Sequence, residues 1–337
     1  MNNSTYLISQ SQIKDFGNIK FSNNNIKSTK CSAPIFSIII IFIDFQTFEK
    51  TIESIKKQSF NNYEIFVIYN LDEKLDILPK NDNWKIISNK SKKGLIYLYS
   101  IGILASKGNY ILTLQSGYIL FEINSLYNIY QISKENNFDI YEFNLLINTE
   151  QIKNVSLILY KCGHFETNID LKIIKTNDNY IDIYKNEEIL SNKLIESKFF
   201  KNLINKYKLY QINKNIYNYF EKIFLFILFT KDIKFKRNDI IGLIIYIKDF
   251  NRIQNVDKSK MRDSIPYINF LFDNTDNSFN GKQLALNEFM NHLSTIYNKY
   301  ILVSLEALKL LKKFLNCKYI RLEDKNELNF YYKSLIN

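Results

Sequence analysis

Short apolar runs alternate with polar segments in the first third of the chain. The run Ser37–Ile43 is mostly isoleucine, which predicts a parallel strand buried on both faces. Phe48, Ile52 and Ile55 follow at helical spacing. Similar patterns predict strands over residues 63–69, 84–87 and 110–114 and a helix over residues 94–105. This order of strands and helices predicts an α/β fold with a parallel sheet and helices on its faces.

The pattern changes after Leu120 and becomes mostly helical towards the end of the chain. Apolar spacing predicts helices over residues 125–136, 189–207, 216–229, 265–272, 282–300 and 302–315, a short tail after them, and strands over 138–147 and 240–247. The first 32 residues are polar, rich in Asn, Ser and Lys, and show little periodicity. We therefore expect a loosely ordered leader over residues 1–33, an α/β domain over 34–250 and a helical C-terminal extension over 251–337.

Lysine and arginine outnumber aspartate and glutamate by 45 to 34, which gives a formal net charge of +11. This excess fits an acidic partner such as nucleic acid, anionic lipid or a diphosphate, or else a solvated lysine-rich surface. The lysines are spread along the chain in short runs and do not build one basic arm. We therefore predict no nucleic-acid partner.

The chain shows no sequence signal for membrane insertion, secretion or metal binding. No stretch reaches the roughly 18 apolar residues that span a bilayer, and the polar first 30 residues contain no apolar core of a secretory signal. Cys31, Cys162 and Cys317 are far apart, and His164 near Cys162 is distant from the other histidine, His292. This predicts no transmembrane segment, zinc site or disulfide. We expect a cytoplasmic protein, with peripheral association with a membrane left open.

Several segments of the α/β region resemble the family 2 glycosyltransferases in order and spacing. They are Ser37–Ile40, Thr51–Phe60 (similar to "TIESILNQTF"), Tyr63–Ile68 ("FEIIVV"), Lys92–Leu95 ("NKGL"), Ile101–Ile111 ("NxGIxxAKGEYI") and, later, Ser191–Ile195 ("WNKLF"). The resemblance implies the GT-A fold of nucleotide-diphospho-sugar transferases. In that fold the nucleotide-sugar lies over the C-terminal ends of the parallel strands, as ligands commonly do on such sheets.

The resemblance also indicates which residues stand at the functional positions of the family. Gln115 and Gly117 occupy the two positions of the D-x-D motif that would hold a divalent metal. Glu221-Lys222 occupies the acidic pair that supplies the general base, with Lys222 at the position of the base itself. The residues equivalent in position to a nucleotide-sugar site are Asp44, Asn70, Asp72, Lys92, Lys93, Gln115 and Gly117.

These replacements bear directly on the chemistry. Mg²⁺ and Mn²⁺ require hard oxygen ligands, and neither a neutral amide nor a glycine supplies a carboxylate. A metal clamp on the leaving diphosphate contributes several kcal/mol of transition-state stabilisation, and a positioned base contributes about 10²–10⁴-fold. The sequence therefore predicts a glycosyltransferase-like protein whose nucleotide-sugar transfer is impaired or lost, with no metal or other cofactor.

Two other functions stay open at this point. One is an active, metal-independent transferase in which Lys92 or Lys93 holds the diphosphate and Glu221 acts as a weak candidate base. Mg²⁺ or Mn²⁺ would enter only through a substitute site at Asp44 and Asp72, and all of these residues also fit ordinary solvated positions. The other function is a non-catalytic module that binds a glycan or an unknown protein partner.

Overall fold

A mixed sheet of ten strands forms the centre of the protein. The computed structural model describes residues 33–69, 84–88, 94–135, 137–149, 158–160, 172–174, 190–212, 220–228, 233–247, 258–275, 279–298 and 305–336. The strands are β1 (Phe36–Ile41), β2 (Tyr63–Tyr69), β3 (Trp84–Ser88), β4 (Tyr110–Gln115), β5 (Tyr118–Leu120), β6 (Ile140–Thr149), β7 (Ile158–Tyr160), β8 (Lys172–Ile174), β9 (Lys193–Glu196) and β10 (Ile233–Ile247). The helices are α1 (Phe45–Lys56), α2 (Leu95–Ala105), α3 (Ser125–Glu135), α4 (Ser197–Tyr207), α5 (Phe220–Leu228), α6 (Lys258–Asn274), α7 (Phe279–Asn298), α8 (Leu305–Leu315) and α9 (Leu322–Ile336).

The strands follow the order β3-β2-β1-β4-β9-β6-β10-β5, with β7 beside β6 and β8 beside β10. Strand β1 is parallel to β2 and β4, β2 is parallel to β3, and β6 is parallel to β10. The antiparallel pairings are short, each covering three residues of a strand. The predicted α/β fold with a parallel-dominated sheet and flanking helices is therefore confirmed.

Strand β1 shows why the sheet needs a continuous apolar run. Successive side chains point to opposite faces of a sheet. Ile38 and Ile40 join the apolar cluster that contains side chains of α1 and α3, whereas Ile39 and Ile41 join the cluster that contains α2, α4 and α5. Both faces are covered, so every residue of β1 is buried, and a polar–apolar alternation would not fit this position.

The helix predicted over residues 189–207 was wrong in its first part. Residues Lys193–Glu196 form strand β9, which lies between β4 and β6, and helix α4 begins only at Ser197. Leu194 and Ile195 contact opposite cores, which is a strand property that a short apolar run does not reveal. Strand β10 is also longer than the predicted strand over 240–247, and the predicted short tail is the 15-residue helix α9.

The C-terminal helices pack onto the helical layer that covers one face of the sheet. Apolar side chains of α6, α7 and α8 belong to the same buried cluster as those of α2 and α5. The rings of Phe226 on α5 and Phe270 on α6 lie 5.9 Å apart. Between α6 and α7, Ser264 Oγ and His292 Nδ1 share a hydrogen bond of 2.7 Å. The domain boundaries at residues 33 and 250 remain predictions, and the leader over residues 1–32 lies outside the described ranges.

Membrane-spanning geometry is not found in any described helix. Within the ranges given above, none is both long enough and apolar enough to cross a bilayer.

Candidate functional site

The described residues among the predicted site positions lie at one edge of the sheet, where the parallel strands have their C-terminal ends. Strands β1, β2 and β4 are in parallel register, so Ile41, Tyr69 and Gln115 end at the same edge. Strand β9 is antiparallel to β4 and therefore begins there, at Lys193. We call this side of the protein the C-terminal edge. Ligands of open α/β sheets commonly bind at such an edge.

Asp44 follows β1 at the C-terminal edge and caps helix α1. Its Oδ1 accepts a hydrogen bond of 2.9 Å from the backbone N–H of Thr47, and its Oδ2 accepts one from the Thr47 hydroxyl. A side-chain oxygen at this position satisfies one of the free N–H groups of the first helical turn. The structure therefore gives Asp44 a capping role. Asp72, its predicted partner in a substitute metal site, lies outside the described residues.

Gly117 forms the turn between β4 and β5. Its φ of +93° lies in a region that favours glycine. Its N–H donates to the Thr51 hydroxyl at 2.9 Å and to the carbonyl oxygen of Thr47 at 3.2 Å. The turn thereby fixes the start of β5 against α1. A residue with a side-chain carboxylate at this position would be strained by the backbone conformation alone.

Gln115 and Glu221 meet at the C-terminal edge although they are 106 positions apart in the chain. Gln115 Nε2, at the end of β4, donates to Glu221 Oε1, in the first turn of α5, over 2.5 Å. The Glu221 side chain is partly buried, and its carboxyl also accepts a hydrogen bond from the backbone of Leu190. Burial raises the pKa of Glu221 to about 7, against the smaller lowering effects of Gln115, Leu190 and the charge of Lys193.

A buried ionic cluster includes Lys193, whose charge acts on Glu221. Glu142 on β6 accepts a hydrogen bond of 2.9 Å from Lys193 Nζ and one of 2.7 Å from Arg237 Nε. Lys193 also donates to Asn192 Oδ1 at 3.0 Å. The exposed fractions are 0% for Lys193, 1% for Glu142 and 4% for Arg237. Burial alone would raise the pKa of the Glu142 carboxyl, but the two cations hold it below its ordinary value.

Two further described residues near Glu221 stay neutral or point elsewhere. Tyr99 on α2 is fully buried against Phe224, with 4.9 Å between the ring centroids. Burial raises the pKa of Tyr99 well above its ordinary value, and the nearby Glu221 charge raises it further. Lys222 turns outward, with its Nζ 4.0 Å from Glu288 Oε1 on α7. Of these two neighbouring residues, Glu221 therefore faces Gln115 and Lys222 does not.

The structure describes only part of the predicted site. It brings Gln115 and Glu221 together and places Asp44 and Gly117 in a cap and a turn. Four predicted positions lie outside the described ranges, namely Asn70, Asp72, Lys92 and Lys93. Within those ranges, no three His, Cys, Asp or Glu side chains form a group that could hold a metal ion. The sequence analysis missed the ionic cluster, because Glu142 lies in a predicted strand, Lys193 in a predicted helix and Arg237 in neither.

The sheet order and the helices on both of its faces define a GT-A-like glycosyltransferase fold. Among solved structures, the chain is similar to S. aureus TarS 1-349, with a TM-score of 0.56, 14% identity and coverage of 89% of this chain and 88% of that chain. The complex of TarS 1-349 with UDP-GlcNAc gives a TM-score of 0.56 at 13% identity over the same shares of both chains. The complex with UDP gives 0.55 at 12% identity, again over 89% and 88%. At this identity the similarity establishes the fold.

Comparisons by sequence add no family to this result. No protein-family model matches the chain, and no curated protein matches it.

Proposed function

We propose that this chain is a glycosyltransferase-like protein that binds a nucleotide-diphospho-sugar at the C-terminal edge without a divalent metal, and whose sugar transfer is impaired or lost. The fold supports the ligand class, because S. aureus TarS was solved with UDP-GlcNAc and with UDP. The single observation that carries the proposal is what stands at the two D-x-D positions. Gln115 is hydrogen-bonded to Glu221, and Gly117 is needed by the β4–β5 turn.

The donor set at these positions does not suit Mg²⁺ or Mn²⁺. Both ions prefer carboxylate oxygens, and the Gln115 amide donates its N–H to Glu221. Asp44 follows β1 at the same edge, and both of its carboxylate oxygens accept hydrogen bonds from Thr47. Without a metal to neutralise the leaving diphosphate, the transfer step loses several kcal/mol of stabilisation. Binding of the donor does not require the same stabilisation.

Thermal unfolding with UDP-GlcNAc tests the metal-independent binding. We expect the melting temperature to rise with UDP-GlcNAc and to rise equally in the presence of Mn²⁺ or of EDTA, because a ligand that binds only the folded state stabilises it. A rise that requires Mn²⁺ would contradict the proposal. No rise under any condition would contradict nucleotide-sugar binding itself.

A variant in which both D-x-D carboxylates are restored tests the reason for the missing metal site. In Gln115→Asp/Gly117→Asp we expect a lower melting temperature and no Mn²⁺ affinity above that of a control, because Gly117 holds a φ of +93°. Asn61→Asp is the matched control, since Asn61 is exposed and precedes β2 at the opposite edge of the sheet. Tight Mn²⁺ binding by the double variant alone would show that the turn tolerates the motif.

One observation favours a second function, slow metal-independent transfer with Glu221 as the general base. Its carboxyl lies at the C-terminal edge, and burial raises its pKa to about 7, which suits a base that works near neutral pH. If Glu221 has this role, release of UDP from UDP-GlcNAc should fall by about 100-fold or more in Glu221→Gln while UDP-GlcNAc binding persists. Equal rates in the two proteins would exclude Glu221 as a base.

A further inference from the structure

A groove between two of the C-terminal helices lies outside the candidate nucleotide-sugar site, and its lining includes neither Gln115 nor Glu221. Helices α6 and α8 form its walls, and Gln211 and Ile212, shortly after α4, complete its lining. Its volume of about 590 Å³ lies within the range of about 300–1,000 Å³ that small-molecule sites occupy. We propose that this groove is a second ligand site and that it binds an uncharged glycan. The proposal is independent of nucleotide-sugar binding at the C-terminal edge.

Both walls present polar and apolar side chains from one face of a helix. Residues three or four positions apart lie on the same face of an α-helix. The lining follows that spacing with Pro266, Asn269 and Asp273 on α6 and with Glu306, Leu310 and Lys313 on α8. Each wall therefore offers the groove a stripe in which hydrogen-bonding groups stand next to apolar surface.

Apolar side chains form the base of the groove. Among the lining residues, Phe270 and Leu310 are buried, and Ile212 and Pro266 are half-buried. Aromatic, proline and aliphatic surfaces attract the apolar C–H faces of sugar rings, because contact removes both surfaces from water. A sugar ring that lies on this base turns its hydroxyl groups towards the walls.

Three polar side chains of the lining form a hydrogen-bonded network that links the two walls. Lys313 Nζ on α8 donates to Asn269 Oδ1 on α6 at 2.9 Å and also to Asp273 Oδ1. Asn269 Nδ2 in turn donates to Asp273 Oδ2 at 3.2 Å. These bonds hold the three groups in place but use only two of the three Lys313 donors and one of the two Asn269 donors. The remaining donors and acceptors are adjacent, which suits neighbouring sugar hydroxyls, since each hydroxyl both donates and accepts.

The charges that line the groove balance. Asp273 and Glu306 carry two negative charges and Lys309 and Lys313 carry two positive ones, although the whole chain has a net charge of +11. An anionic ligand therefore meets no excess of cations in the lining. Seven of the twelve lining residues are polar or charged, whereas small-molecule pockets are mainly apolar with few polar groups. Many donors and acceptors without net charge suit a ligand that is rich in hydroxyl groups.

The lining suits a glycan better than a peptide. Peptides commonly bind along the edge of a sheet, or as a helix whose apolar face fills an apolar groove. The walls of this groove are helices, and its exposed side chains, among them Gln211, Glu306 and Lys309, are polar. An apolar helix would cover these groups without replacing their hydrogen bonds to water, which opposes binding.

An array of immobilised oligosaccharides tests the proposal with the full chain, labelled with a fluorophore. The array carries neutral gluco-, manno-, galacto- and chito-oligosaccharides together with uronic-acid and free-amine members. We expect retention on neutral members that is equal at about 0.05 M and about 0.5 M NaCl, because salt does not screen an uncharged ligand. Retention on uronic-acid members alone, lost at the higher salt concentration, would reflect the excess of surface lysine and overturn the proposal. Retention on no neutral member would also overturn it.

Two substitutions in the network decide whether a retained glycan lies in the groove. Asn269→Ala and Asp273→Ala replace exposed side chains, so both variants should fold. We expect each to weaken binding of the best neutral glycan by about tenfold or more in saturation-transfer NMR titrations, because each removes hydrogen bonds to the ligand. Asn287→Ala is the matched control. Asn287 accepts a hydrogen bond of 2.9 Å from Gln283 at the same four-residue spacing on α7 but does not line the groove, so its loss should leave binding unchanged.

The remaining outcomes separate the occupants and the two proposals. Equal affinity of the wild type and both groove variants would place the glycan elsewhere and overturn the proposal. Retention on a peptide array in place of neutral glycans, weakened by the same two substitutions, would assign the groove to a protein partner and overturn the glycan. All three variants should keep the rise in melting temperature with UDP-GlcNAc, so failure of either proposal leaves the other intact.

Discussion

Replacement of Glu142 by glutamine should be among the most damaging single changes in the sheet. The substitution keeps the shape of the side chain but removes the only described carboxylate that contacts both Lys193 and Arg237. All three residues are almost completely buried, so the two cations would lose a shared counter-charge in a low-dielectric interior. Removal of one partner from a buried ion pair costs about 3–5 kcal/mol. Since native proteins are stable by only about 5–15 kcal/mol, this loss is a large share of the total.

Urea denaturation at neutral pH measures the effect, with Glu53→Gln as the control. Glu53 also pairs with a lysine, but its side chain is 58% exposed and its distance to Lys57 Nζ is 3.7 Å. An exposed helical pair of this kind contributes a few tenths of a kcal/mol. We therefore expect a large fall in the midpoint for Glu142→Gln and almost none for Glu53→Gln. Equal midpoints for the two variants would refute the argument.

The pH dependence provides an independent check of the same reasoning. The folded protein holds the pKa of Glu142 below its ordinary value of 4.5. A carboxyl with a lowered pKa contributes its full stabilisation above the unfolded-state pKa and loses it as the pH falls through the folded-state pKa. The difference in stability between wild type and Glu142→Gln should therefore be constant near neutral pH and shrink below about pH 4.5. A difference that persists unchanged in acid would show that the effect is steric.

Three further predictions follow from other parts of the structure. The pKa of His292 is lowered from 6.5 to about 4 by burial. The stability of the wild type relative to His292→Gln should therefore fall by about 2 kcal/mol between pH 7.5 and pH 5 in urea titrations, because the other titrating groups are common to both proteins. Gly108→Ala should unfold at a much lower temperature, because its Cβ would lie 2.5 Å from a backbone nitrogen of β1. Gly102→Ala is the control and should change the melting temperature little, because its Cβ would meet only side chains, the nearest at 3.3 Å. Gln115→Glu should lower the melting temperature, because it places two carboxylates in contact. Adding Glu221→Gln should recover most of the loss, because it exchanges the donor and the acceptor of the hydrogen bond. Effects of the two substitutions on stability that simply add would contradict this.

Local patterns were sufficient to predict much of the sheet. The predicted second strand over residues 63–69 has the bounds of β2, and the isoleucine run corresponds to β1. These strands are covered on both faces, so their apolar runs are continuous and easy to distinguish. Strand β9 was missed because it is four residues long and follows polar residues. Its apolar content is too small to separate a strand from the start of the adjoining helix α4.

The sequence indicated which positions belong to the candidate site but not which of their side chains contact each other. The family resemblance placed Gln115 and Glu221 at separate functional positions, and nothing in the sequence indicates that one donates to the other. The ionic cluster was harder still, because a charged residue in a strand ordinarily faces solvent. Glu142 lies opposite Lys193 on β9 and opposite Arg237 on β10. The order β9-β6-β10 places one cation on each side of the Glu142 carboxylate, and this order is not visible in the sequence.

The absence of D-x-D carboxylates is tied to the surrounding structure at both positions. Gly117 supports a turn that a side chain would strain, and its N–H fixes β5 against α1. The neutral Gln115 side chain donates a hydrogen bond to Glu221. An aspartate at position 115 would remove that donor and add a second negative charge beside Glu221. Metal binding by carboxylates at positions 115 and 117 would therefore require changes in the turn, in Gln115 and in Glu221 together, and one substituted ligand would not be enough.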